Sequence, residues 1–139
     1  MRWAIAADPQ HELVDSALVE LRSRFDRVFI TTQVLVEFQA LATRPLSANG
    51  LGIAPAVALN HARRMENSFE LLPETFFSHR VWRRLVASHQ IVGRQVYDTR
   101  LVSVMLASSI THLLTLDPAD FRRFKEITVV TPQQIVAAA

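Results

Sequence analysis

Short apolar runs able to form strands alternate along this chain with longer segments of helical periodicity, and that alternation constrains the fold most. Val28–Thr31, His112–Leu116 and Ile127–Thr131 read as strands. The first helix follows the Asp8-Pro9 start, with Leu13, Val14, Ala17, Leu18 and Leu21 on one face. A second spans about Thr32 to Thr43, with Val34, Leu35, Phe38, Leu41 and Ala42 inward, and Pro45 and Asn49-Gly50 follow it. A third runs from Pro55 to about Phe69. Leu71-Leu72-Pro73 reads as a connector. A fourth covers about Phe76 to Ile91, with Val81, Trp82, Leu85 and His89 inward and Arg80, Arg83 and Arg84 on its polar face. A fifth, about Asp98 to Ser109, is apolar almost all round after Arg100 and must be sandwiched. Asp117-Pro118 opens a short helix to about Phe124. Strands interleaved with helices imply an α/β fold with a mainly parallel sheet.

At 139 residues the expectation is a single domain, 1–139, and 50% hydrophobic content supplies a core. The absence of cysteine excludes disulfides, thiolate zinc sites and cysteine nucleophiles. Three glycines leave no usual phosphate-cradling loop. The net charge is only +2, and all basic residues but Lys125 are arginine, which fits a GC-rich genome as readily as a nucleic-acid surface. The longest uncharged stretch, Pro45 to Ala62, carries prolines and glycines, and the N-terminal apolar run is too short for a signal peptide. The expectation is a cytoplasmic protein with no membrane segment. The five histidines show no metal-ligand spacing, and Trp3, Trp82 and the eight phenylalanines read as core rather than base-stacking platforms.

Four carboxylates fall where an open α/β sheet builds its sites, beyond the carboxyl ends of strands. Glu37 follows the Val28–Thr31 strand and lies about 40° beyond Leu41 on a helical wheel. Asp98 opens the fifth helix, Asp117 ends the His112–Leu116 strand, and Asp120 lies one turn on. Each has an ordinary reading as well. Asp98 and Asp117 suit helix caps, Asp120 suits a first helical turn, and Glu37 suits a solvated face. Together they suggest a site for Mg²⁺ or Mn²⁺, because hard cations take oxygen ligands and clustered carboxylates without a cation would partly protonate.

Three segments carry a family resemblance: Ile30-Thr31-Thr32-Gln33-Val34-Leu35-Val36-Glu37-Phe38, Val96-Tyr97-Asp98-Thr99-Arg100-Leu101-Val102, and His112 through Phe124 with its Thr115-Leu116-Asp117 turn and Asp120-Phe121 ending. In order and spacing the chain resembles the PIN-domain ribonucleases, specifically VapC-like toxins of bacterial toxin–antitoxin pairs. The resemblance implies a three-layer α/β/α fold and a metal-dependent endoribonuclease. It implies that Glu37, Asp98 and either Asp117 or Asp120 bind Mg²⁺ or Mn²⁺, with all four as catalytic candidates. It also implies a VapB-like antitoxin and a homodimer. RNA phosphates would meet Arg80, Arg83 and Arg84, with Arg44, Arg63, Arg64 and Arg94 as further candidates; a solvated helix face is the alternative.

One departure stands out. The family opens with a central strand ending in a catalytic Asp, and this chain begins at Met1-Arg2-Trp3, where that strand should have ended. The expectation is therefore a domain lacking its first strand, through a miscalled start codon, a truncated or decayed gene, or a shortened binding module. The last two keep a second function open: a non-catalytic PIN-like module that binds an antitoxin or RNA without cleavage.

Overall fold

Thr31 ends a strand and begins a helix in the same residue. Its hydroxyl accepts the Val34 N–H at 3.3 Å, supplying a partner to one of the orphan donors at the helix start. A computed structural model describes residues 4–139, so the expectations for Trp3 and for a strand preceding Met1 lie outside the described residues. The chain divides into two compact units, Met1–Leu71 and Leu72–Ala139. No helix among the described residues is long and apolar enough to cross a membrane.

The first unit comprises α1 (His11–Ser23), β1 (Phe29–Thr31), α2 (Thr32–Thr43), a 3₁₀ turn (Leu46–Ala48), α3 (Pro55–Ser68) and β2 (Glu70–Leu72), whose last residue already belongs to the second unit. β1 and β2 form a two-stranded sheet. Residues read as a connector therefore make a strand, because the Glu70 N–H reaches the Val28 carbonyl at 3.2 Å and starts a ladder. Leu35, Phe38 and Ala42 repeat at helical spacing on α2 and pack on Ala58, Ala62 and Met65 of α3. The two alanines leave room for the Phe38 ring, which is 1% exposed. Gly50 permits a close backbone approach: a Cβ there would stand 2.0 Å from the Arg44 carbonyl oxygen. Asp8 does not cap α1. Its side chain accepts from the Gln10 N–H at 2.9 Å in a turn, and the helix begins at His11.

The second unit comprises α4 (Phe76–Ser88), α5 (Gln95–Ala107), β3 (His112–Leu114), a 3₁₀ turn (Pro118–Phe121), β4 (Thr128–Val130) and α6 (Pro132–Ala137). β3 and β4 pair in parallel, with Leu113 opposite Val129. Val81 and Leu85 of α4 meet Val102 of α5, Ile91, Phe121 and Phe124 in one core, against which Leu113 and Val129 pack. α5 buries Thr99, Val102, Ser103, Val104 and Met105, the sandwiched helix expected from its composition. Its buried hydroxyls are satisfied by its own carbonyls, Thr99 to Gln95 at 2.8 Å and Ser103 to Arg100 at 2.7 Å. α4 starts in a capping box between Thr75 and Ser78. α6, unforeseen in the sequence, starts in another, between Thr131 and Gln134. The α/β expectation holds, with short strands in two two-stranded sheets.

Helices α1, α4 and α5 end alike. Phe25, Gln90 and Ser109 have φ of 63°, 50° and 59°, in the left-handed region. After each, the next N–H reaches back five residues: Asp26 to Leu21, Ile91 to Val86 and Ile110 to Met105, at 3.0, 3.0 and 2.8 Å. This is the Schellman ending, which glycine usually occupies.

Candidate functional site

The four candidate carboxylates sit on different local supports. Glu37 projects from the exposed side of α2, where the Gln33 side-chain amide, one turn earlier, donates to its Oε1 at 2.7 Å. Gln33 itself is buried, so it anchors the carboxylate to the helix. That pairing follows from i,i+4 spacing, a signal carried by an uncharged residue. Asp98 is half-buried in the first turn of α5, where the helix dipole favours a negative charge. Because α5 begins at Gln95, three residues earlier than expected, Asp98 does not cap it.

Asp117 is exposed and stands at the N-cap of the 3₁₀ turn, where its side chain makes no capping hydrogen bond. Its backbone N–H donates to the Thr115 hydroxyl at 3.1 Å, which fixes the bend after β3. Asp120 is exposed in the first turn of that 3₁₀ segment rather than in an α-helix. Carboxylate oxygens suit a hard divalent cation. Among the described residues, however, no three or more His, Cys, Asp or Glu side chains are grouped to hold one. Within the second unit, the described positions of Asp98, Asp117 and Asp120 do not form a closed cation site.

Arg80, Arg83 and Arg84 are all exposed on α4. Arg84 contributes to a local acidic partner: its charge helps hold the Glu126 carboxyl below the usual range. Burial pushes that carboxyl up, but the hydrogen bond from His89, at 3.0 Å, and a backbone hydrogen bond outweigh it, with the charges of His89 and Arg84 assisting. His89, expected to face inward, lies at the C-cap of α4 with its ring edge-on to Phe124. His112, expected as a structural strand residue, is exposed, its Nδ1 lying 3.0 Å from the Thr111 hydroxyl.

The aromatic expectation is corrected. Phe38, Phe121 and Phe124 are core, but Phe25, Phe76 and Phe77 are 95%, 80% and 59% exposed. Phe76 and Phe77 open α4, where the inward positions belong to Ser78, Val81 and Leu85. On the same helix the His79 and Trp82 rings stack with centroids 5.7 Å apart and planes 23° apart, and Phe76 lies 6.3 Å from His79. The indole N–H of Trp82 donates to the Val96 carbonyl at 3.1 Å. Beside this stack opens a cavity of about 280 Å³ lined by Glu74, Ser78, His79, Trp82, Arg100 and Val104 among others. Arg100 and Glu74 pair at 2.8 Å on its wall.

A second cavity, about 370 Å³, lies in the first unit between Arg22, Arg27 and Glu70. The Arg27 guanidinium makes a two-pronged bond to the Glu70 carboxylate and holds it below its usual range.

A family model for the PIN domain matches residues 2–127. Comparison with curated proteins and with solved structures returned no match.

Proposed function

The chain belongs to the PIN domain family, and on that premise we propose that it is a divalent-cation-dependent endoribonuclease, the toxin of a VapC-like toxin–antitoxin pair. PIN domains are generally nucleases and typically use divalent metals. The observation that carries the proposal is the family match through both units, with acidic residues at three motifs in the family's order. In this reading Glu37, Asp98 and either Asp117 or Asp120 are the carboxylates that would take Mg²⁺ or Mn²⁺, a hard cation suited to oxygen ligands. Gln33 orients Glu37, and Arg80 and Arg83 meet RNA phosphates. A VapB-like antitoxin, a homodimer and a cytoplasmic location belong to the same proposal.

A second reading has an observation in its favour. Asp98, Asp117 and Asp120, all in the second unit, are not gathered into a group of three among the described residues, which suits a module that binds RNA or an antitoxin without cutting. Incubating the purified chain with single-stranded RNA in Mg²⁺ or Mn²⁺, and separately in chelator, decides between them. The nuclease reading expects cleavage only with the cation. RNA binding with no cleavage under either condition refutes it and supports the second reading.

A further inference from the structure

We infer that the aromatic stack on α4 and the cavity beside it form a stacking site for an unpaired base of single-stranded RNA. This rests on the reading of the chain as an RNA-binding protein and adds to it a substrate feature: one base splayed out of the strand. Phe76, His79 and Trp82 recur every three residues along one edge of α4; His79 and Trp82 line the cavity, and Phe76, 6.3 Å from His79, extends the row beyond it. Flat rings at a surface accept bases face-on, and such stacking is indifferent to base identity.

Charge selects the occupant. Arg80 lies four residues from Phe76, and Arg83 four from His79, so each guanidinium projects one turn beyond a ring on the exposed face. Rings interleaved with arginines match a strand whose bases stack while its phosphates pair with cations. The cavity wall adds a polar edge. Glu74 presents an acceptor and Arg100 donors, held together at 2.8 Å. That pairing complements a base edge carrying a donor beside an acceptor. Duplex RNA, with its bases stacked inside, cannot enter.

The test is binding of fluorescein-labelled single-stranded RNA to the whole chain, read by anisotropy in chelator so that cleavage plays no part. Combining Phe76→Ser with His79→Ala is expected to weaken binding about tenfold or more. Both side chains are exposed, and circular dichroism checks the fold. Arg83→Gln is expected to lower the salt slope of log Kd by about one. A duplex of equal length is expected to bind more weakly than the single strand. Wild-type affinity in the double variant, or equal affinity for duplex and single strand, overturns the proposal. So does a change in self-association without a change in RNA affinity, which would assign the face to a protein contact. Failure of the nuclease reading shows separately, as binding without cleavage in Mg²⁺.

Discussion

Replacing Phe25 with glycine is expected to stabilise the protein although it removes a large apolar side chain. Phe25 sits in the left-handed region at the end of α1, φ 63°, in a Schellman ending closed by the Asp26-to-Leu21 hydrogen bond. A residue with a Cβ loses about 1–2 kcal/mol in that conformation. Its ring is 95% exposed, so almost no packing is lost on truncation. Glycine adds unfolded-state entropy of about 0.5–1 kcal/mol, leaving a net gain of roughly 0.5–1 kcal/mol. For a chain of this size that raises Tm by about 2–3 °C. Phe25→Ala is the control. It removes the ring but keeps the Cβ, so its stability should stay within about 0.5 kcal/mol of wild type. Thermal unfolding followed by far-UV circular dichroism measures both. Equal Tm values for the glycine and alanine variants would refute the strain argument. A gain in both would place the effect in the exposed ring.

Phe38→Ala, at a site 1% exposed between α2 and α3, is expected to cost about 3–5 kcal/mol, measured by urea unfolding. The His89–Glu126 pair gives an acid dependence. Because the Glu126 carboxyl is held below its ordinary value of 4.5, its contribution is present above that value and is lost as pH falls through the depressed one. The pair is partly exposed, so the effect is small. Comparing urea midpoints above and below pH 4.5, His89→Ala should lose less on acidification than wild type; an equal loss would contradict the assignment. Thr75→Val removes the hydroxyl that caps α4 at 3.1 Å and should cost about 1 kcal/mol in the same assay.

Two helix starts were legible because their side chains declare themselves. Thr31 before Gln33-Val34-Leu35, and Pro55 at the first turn of α3, both mark observed boundaries. Helix ends were not. With three glycines in the chain, α1, α4 and α5 stop at Phe25, Gln90 and Ser109, residues whose identity carries no stop signal. That is why α4 read through to Ile91 when it ends at Ser88. β2 escaped notice because three residues are too few for alternation, and its register comes from backbone pairing with the β1 segment.

The site divides the same way. Asp98 and Asp117 were placed near the ends of the right elements, since acidic residues beside Thr and Pro mark turns. The Gln33 anchor of Glu37 and the Phe76–His79–Trp82 ladder were not foreseen. Neither depends on charge, and composition cannot tell an exposed ring from a buried one. The spacing of three along α4, interleaved with arginines, was the available signal.

The most direct test of the nuclease reading compares cleavage of single-stranded RNA in Mg²⁺ by the wild-type chain, Glu37→Gln and Asp98→Asn, with folding of each verified. Cleavage by the wild type and its loss in both variants is the predicted result. Cation-dependent cleavage that persists in both would contradict the assignment of these carboxylates.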